Sequence, residues 1–377
     1  MMNVLQIGKG WFPEESGGLN RYFYDCVQYL PNLNLNLQSL VAGSGQTSQK
    51  SDQQVYFFSP SKPSLLHRWW MLRNSFKQLH QLNDYNLVST HFALYTFPIL
   101  NLLKQPLVVH FHGPWATEGQ AEGNNKIAVY FKRYIETTVY KQAKHFIVLS
   151  KAFKQVLESS YGISGDKISV VPGGVDLQHF NCLVPQENAR QKLNLPCDRP
   201  IIFTVRRLAK RMGLEQLVKA ISIVRSKHPE VLLLIAGKGI QAKQLQTQID
   251  ELGLNQHIKL LGYVGDAELP LYYQAAEFSI IPSQCLEGFG LTLLESLASG
   301  TPALGTPVGG IPEVLRPLSS DLVLSGNQVS DLAQGIKEVL QGTRKLPNTI
   351  ECRQYVEQNH SWPVIAQQLK TIYQSVK

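Results

Sequence analysis

A chain of 377 residues, 44% of them hydrophobic, is too long for one ordinary core and apolar enough to fold, so two α/β domains are the natural expectation. No apolar run reaches the roughly 18–20 residues needed to span a bilayer, and no low-complexity tract argues for disorder. The net charge of +8 favours polyanionic partners, whether nucleic acid, anionic lipid or phosphorylated substrates, and by itself does not choose among them.

The opening Met1-Met2-Asn3-Val4-Leu5-Gln6-Ile7-Gly8 lacks the basic flank, apolar stretch and cleavage site of a signal peptide. It reads as a first buried strand, over 4–7. Further strand candidates follow at 37–41, 55–58, 87–90, 107–111, 146–149 and 168–171. A second series lies at 201–205, 232–236, 258–261, 278–281 and 303–305. Amphipathic stretches alternate with them along the chain, the signature of βαβ units and parallel sheets. Between the two series, 181–200 carries Pro185, Pro196 and Pro200 and no strong strand. The boundary is placed there, giving domains at 1–182 and 183–360. In the last segment, 361–377, Val364, Ile365, Leu369, Ile372 and Tyr373 fall at helical spacing, which predicts a closing helix packed back on the first domain.

A basic, aromatic stretch runs from Lys62 through His67, Arg68, Trp69, Trp70 and Arg73 to Phe76, Lys77 and Leu79. It has two readings: a helix packing on its own domain, or a surface touching anionic membrane or a lipid-linked acceptor. From Lys62 to Lys151 eleven Lys or Arg face four acids, so this segment holds about +7 of the charge. Lys126, Lys132, Arg133, Lys141 and Lys144 surround Tyr130, Phe131 and Tyr134 there. The five scattered cysteines, Cys26, Cys182, Cys197, Cys285 and Cys352, form no C-x-x-C and suit a reducing cytoplasm.

The richest segment for chemistry is Pro282-Ser283-Gln284-Cys285-Leu286-Glu287-Gly288-Phe289-Gly290-Leu291-Thr292-Leu293-Leu294-Glu295. It follows a strand and opens a helix at Leu291. Free backbone N–H groups and the helix dipole there favour an anion such as phosphate. Gly288 and Gly290 let the backbone approach a ligand. Glu295, one turn into the helix, is placed to accept hydrogen bonds from ribose hydroxyls, as acidic residues do in dinucleotide-binding folds. Arg207 follows the strand at 201–205, and a guanidinium there is always charged and able to bind an anion bidentately. Gly17-Gly18 closes the first loop and opens a helix near Leu19; Glu14 and Glu15 in that loop face either the acceptor or solvent. His110 and His112 alternate onto one strand face. Two imidazoles raise a metal site, but no third ligand is evident and no metal is assigned.

The two glutamates with seven residues between them, followed by Ala298-Ser299-Gly300-Thr301-Pro302 and Gly309-Gly310-Ile311-Pro312-Glu313, resemble glycosyltransferase family 4. Gly17-Gly18, His112-Gly113, Val171-Pro172-Gly173-Gly174-Val175-Asp176, Arg207-Leu208 and Gly237-Lys238-Gly239 extend the resemblance along both halves, in family order. It implies a GT-B fold, two Rossmann-like domains whose parallel sheets face each other across a deep cleft. It also implies a retaining hexosyltransferase that takes its sugar from a nucleotide-diphosphate donor and needs neither metal nor cofactor. On this reading His112 lies near the reacting sugar, and Glu287 and the Phe289-Gly290-Leu291 backbone hold sugar hydroxyls. Arg207, Arg211, Gly17 and Gly18 hold the diphosphate; Glu295 holds the ribose; Gly237 lies near the base. Where the family has Gly-Arg-Leu this chain has Arg206, and where it has a lysine before the glycine this chain has Met212. Arg211, or else Lys210, would then supply the second cation.

The implied reaction is front-face, with the departing phosphate deprotonating the acceptor hydroxyl; Glu287 as a covalent nucleophile ranks second. The expected acceptor is a saccharide or lipid-linked saccharide, and the expected place is the cytoplasm, with peripheral contact to the inner face of the membrane. Nucleic acid has no motif behind it. The rivals are an epimerase or phosphorylase of the same fold, or a silent sugar-nucleotide-binding protein.

Overall fold

The computed structural model describes residues 2–44, 54–60, 63–180 and 184–376. Every apolar run singled out above forms a strand; most are covered on both faces of a sheet, whereas those at 55–59 and 258–262 stand at sheet edges and are partly exposed. The chain divides into two units, Met1–Gly173 with Trp362–Lys377, and Gly174–Ser361.

In the first unit, β1 (Met2–Ile7), β2 (Leu35–Ala42), β3 (Val55–Ser59), β4 (Leu87–Thr90), β5 (Leu107–Phe111), β6 (His145–Val148) and β7 (Ile168–Val170) form one sheet. Its order is β3-β2-β1-β4-β5-β6-β7, and all neighbours are parallel. In the second unit, β8 (Ile201–Val205), β9 (Leu232–Ala236), β10 (Ile258–Gly262), β11 (Phe278–Ile281) and β12 (Ala303–Gly305) make a parallel sheet of order β10-β9-β8-β11-β12. Each sheet reverses its winding once, between β1 and β4 and between β8 and β11. Helices leave opposite faces on either side of such a point, so a crevice opens at the carboxyl ends of the flanking strands. Those ends carry Gly8 and His91 in the first sheet, and Arg206 and Pro282 in the second.

The closing helix, Trp362–Val376, belongs to the first unit. Trp362 is fully buried, donates from Nε1 to Asp25 Oδ2 at 2.9 Å and stacks on Tyr29 with ring centroids 5.7 Å apart. One turn from the chain end, the Tyr373 hydroxyl lies 2.8 Å from His110 Nε2 and 3.0 Å from Ser89 Oγ and accepts from Gln6 Nε2 at 3.3 Å. The expected boundary after 182 falls on Cys182 and Leu183, outside the described residues. Just before it, His179 Nε2 lies 3.0 Å from the Asp266 carbonyl and Phe180 packs on Tyr273, so 174–180 goes with the second unit.

Of the basic aromatic stretch, Lys62 lies outside the described residues, and the rest forms the helix Leu65–Leu82. Leu72, Phe76 and Leu79 are buried in the first unit's core, while Leu66 and Trp70 are exposed. Helix Lys126–Gln142 leaves Ile127, Tyr130, Phe131 and Tyr134 exposed, at the i, i+3, i+4, i+7 spacing of one helix face. From its buried side Glu136 accepts from the backbone N–H groups of Trp115 and Ala116 at 2.7 and 3.2 Å and from the Tyr161 hydroxyl at 2.8 Å. It thereby satisfies the first two backbone donors of helix Trp115–Ala121. No described helix is long and apolar enough to cross a membrane.

Candidate functional site

In the second unit the chain leaves β8 with Arg206 turned inward and Arg207 exposed, as alternation at a strand end requires. The Arg206 guanidinium is buried. Its Nη2 donates to Ser283 Oγ at 2.8 Å, lies 2.9 Å from Met212 Sδ and pairs with Glu287 Oε2. Ser283 Oγ donates to the same Oε2 at 2.7 Å. Both of these contacts fall on Oε2. Burial pushes the Glu287 carboxyl up. The charge of Arg206, the hydrogen bonds from Ser283 and Arg206, and the charge of Arg211 outweigh that and hold it below its usual value.

The loop carrying Glu287 is held by its neighbours. Arg211 Nη1 donates to the Leu286 carbonyl at 3.0 Å, and Gln284 N donates to the Arg211 carbonyl at 2.9 Å. Leu286 takes a left-handed φ of 54°, uncommon for a branched side chain, and so aims the next residue, Glu287, back at Arg206. Gly309 is required here: a Cβ would stand 1.9 Å from the Glu287 carbonyl oxygen. Gly237 at the end of β9 is likewise obligatory, since its Cβ would meet the Arg206 carbonyl oxygen at 1.8 Å. Its evident duty is thus to let two loops close. Beside it Lys238 Nζ lies over the Tyr263 ring, 5.0 Å from the centroid.

Phe289 is buried against His360, and Gly290, with φ 83°, turns the chain into helix Leu291–Ala298. That N-terminus has no side-chain cap and no acid in its first turn, which suits it to an anion. Glu295 is half-buried. Its Oε2 accepts from the Tyr273 hydroxyl at 3.1 Å, and the same hydroxyl lies 3.2 Å from the Thr292 carbonyl. Glu287, Arg211, Phe289, Gly290, Leu291 and Glu295 thus gather at the carboxyl ends of β8 and β11. Tyr273 and the inward Arg206 join them unannounced: Tyr273 reads as an ordinary core aromatic, and Arg206 as a lost glycine.

In the first unit, Gly17, with φ 132°, caps helix Gly18–Tyr29. Glu15 pairs with Lys9, and Glu14 Oε2 accepts from Ser44 N at 2.8 Å, so both acids are engaged within the unit. His110 and His112 do share a face, and a third imidazole joins them: His91, one residue past β4. The His91 and His110 rings stack 4.2 Å apart, and His91 Nδ1 lies 3.1 Å from His112 Nε2. His91 lies 21 positions before His112 along the chain, and only the pairing of β4 with β5 brings it there. Among the described residues no group of three His, Cys, Asp or Glu is arranged to hold a metal. Burial pushes His112 down to about 3, and burial together with neighbouring imidazoles pushes His91 and His110 well below the usual value, so all three are neutral at pH 7.

Two family models tile the chain: Glycosyltransferase Family 4 matches residues 16–179, and Glycosyl transferases group 1 matches residues 185–358. An uncharacterized glycosyltransferase of Methanocaldococcus jannaschii is 27% identical over 78% of this chain and 76% of its own length. The D-inositol 3-phosphate glycosyltransferase of Corynebacterium urealyticum is 28% identical over 65% of this chain and 60% of its own length. Among solved structures, sucrose-phosphate synthase from Thermosynechococcus elongatus superposes with a TM-score of 0.80 at 21% identity, covering 100% of this chain and 99% of its own. The Anabaena protein HepE, in complex with UDP and glucose, superposes with a TM-score of 0.81 at 19% identity over 100% of both chains. With its carboxylate-and-arginine site at one switch point, its histidines at the other and both halves matched, this chain is a glycosyltransferase of family 4 with the GT-B fold of two Rossmann-like domains.

Proposed function

We propose that the chain moves a hexose from a nucleotide-diphosphate sugar, with retention of anomeric configuration, to a hydroxyl of a saccharide or lipid-linked saccharide. The observation that carries this reading is the Glu287 carboxylate, held ionised by Arg206 and Ser283 on one oxygen, beside an uncapped helix N-terminus. Oε1 of Glu287 and the Phe289-Gly290-Leu291 backbone hold sugar hydroxyls. Arg207, Arg211, Gly17 and Gly18 and the first-turn amides at Leu291 hold the diphosphate, whose negative charge grows as its bond to the sugar breaks. Glu295, steadied by Tyr273, accepts from the ribose, and Gly237 lies near the base. His112 contacts the reacting sugar.

The acceptor oxygen attacks C1 on the face the phosphate leaves, and a phosphate oxygen takes the acceptor's proton. Glu287 is a poor nucleophile for a two-step route, because Arg206 and Ser283 draw on its charge. Cationic side chains and backbone amides take the part a metal would otherwise play, and no cofactor is needed. Relatives named as mannosyltransferases for phosphatidylinositol mannosides favour a lipid-linked acceptor. So does the exposed face of Ile127, Tyr130, Phe131 and Tyr134 beside Lys126 and Lys141, suited to peripheral contact with an anionic cytoplasmic leaflet.

The test is a panel of UDP-, GDP- and ADP-sugars read by thermal shift and by transfer, with NMR of the first product's anomeric configuration. Stabilisation by one nucleotide class and a retained anomer formed in EDTA are expected. No shift with any donor, or an inverted anomer, would overturn the reading.

A further inference from the structure

We propose that His91 is a positioning residue that fixes the proton of His112 on Nδ1, so that this imidazole meets its ligand as a neutral Nδ1–H donor. The inference concerns the His112 assigned above to the reacting sugar and rests on that reading only for its consequence in catalysis.

The 3.1 Å contact between His91 Nδ1 and His112 Nε2 needs one proton and one lone pair. Two neutral arrangements supply them. If His112 Nε2 carries the proton, His91 must carry its own on Nε2, a buried atom with no hydrogen-bond partner among the described residues. If His91 Nδ1 carries it, His91 Nε2 is a lone pair, and His112 has its proton on Nδ1. A buried N–H without an acceptor is rarer and costlier than an acceptor short of a donor, so the second arrangement is the stable one.

The surroundings agree. The His91 ring is enclosed by the His110 ring stacked at 4.2 Å and by Phe23, edge-on with centroids 5.1 Å apart. The same rule orders the next ring. His110 Nδ1 is buried without a partner among the described residues, so its proton sits on Nε2 and is donated to the Tyr373 oxygen at 2.8 Å. Tyr373, which also accepts from Gln6, passes its own proton to Ser89 Oγ at 3.0 Å. The His91, His110 and Tyr373 protons then each have an acceptor. The N–H left over is on His112, which is only part-buried and whose one hydrogen bond to a described residue is through Nε2. Placed near a reacting sugar, a neutral donor binds a hydroxyl or ring oxygen and takes no proton from it.

The experiment is a long-range 1H–15N correlation spectrum of the full chain labelled with 15N-histidine, with the His112 signals identified by their loss in His112→Ala. A protonated Nδ1 and a bare Nε2 on His112 are expected. In His91→Leu the His112 proton should move onto Nε2, and kcat should fall about 10-fold, the worth of one hydrogen bond, with the donor KM little changed. In His91→Asn, whose amide can donate from a similar place, both should be restored toward normal. An Nε2 proton on His112 in the unaltered protein would overturn the proposal, whatever happens to the variants. Full transfer activity in His112→Ala would instead overturn the catalytic assignment of His112, leaving the tautomer to be read from the spectrum.

Discussion

Arg206 Nη2 lies 2.9 Å from Met212 Sδ, so the two positions at which this chain departs from its family's pattern are in contact. A guanidinium from the strand end occupies the space beside residue 212, and its charge reaches Glu287. The sequence directs attention to Arg211 as the replacement cation. Arg211 donates to the Leu286 carbonyl, while the buried charge beside Glu287 belongs to Arg206.

Exchanging the pair tests this relation. Arg206→Gly alone leaves Glu287 buried without its ion-pair partner, which should cost about 3 kcal/mol of stability and most of the activity. Adding Met212→Lys should recover a large part of both, because the lysine brings a cation back to the same space. Chemical denaturation and transfer assays on the single and double variants measure it; a double variant no better than Arg206→Gly would refute the exchange.

Tyr273→Phe removes the hydroxyl that holds Glu295 Oε2 and otherwise conserves a buried ring. If Glu295 binds the ribose, the donor KM should rise several-fold, about 1 kcal/mol, with kcat nearly unchanged. Glu295→Ala should abolish the donor's thermal shift. Kinetics at saturating acceptor separate the two parameters, and an unchanged KM in both variants would remove Glu295 from the donor site.

The buried imidazoles make stability depend on pH. Each has its folded pKa below the ordinary 6.5, for His112 about 3. Between those values the unfolded chain binds protons that the native chain refuses. Stability is therefore full above about pH 6.5 and lost on acidification. Glu136 runs the other way: burial raises its carboxyl from 4.5 to about 7, so its contribution is full below 4.5 and lost as pH rises to 7. Three groups outweigh one, and Tm should fall from pH 6.5 to 4.5, more steeply in Glu136→Gln. A flat Tm over that interval would contradict the buried, neutral cluster.

Tyr373→Phe deletes the oxygen that accepts from His110 and Gln6. Two buried donors lose their partner, at a cost of about 1–3 kcal/mol each before relaxation. Denaturant titration should show the loss without a change in slope. A loss below about 0.5 kcal/mol would mean that the hydroxyl holds nothing in place.

Several things follow from the sequence alone. Twelve apolar runs separated by amphipathic stretches dictate two parallel sheets, because burial of both strand faces is written locally, residue by residue. The closing helix is legible from its spacing, and Glu287, Gly290 and Glu295 from a strand, a glycine turn and a helix start that are contiguous in the chain. Strand order is not local. His91 becomes the partner of His112 because β4 pairs with both β1 and β5, and no spacing announces that. Arg206 and Glu287 are 81 positions apart and meet because β8 pairs with β11. Tyr273 and Tyr373 look like core aromatics until the fold shows which polar atom each hydroxyl reaches. Periodicity and turn chemistry are properties of neighbours in the chain, whereas ion pairs, tautomers and buried hydrogen bonds are settled between neighbours in space, and only the tertiary structure decides which those are.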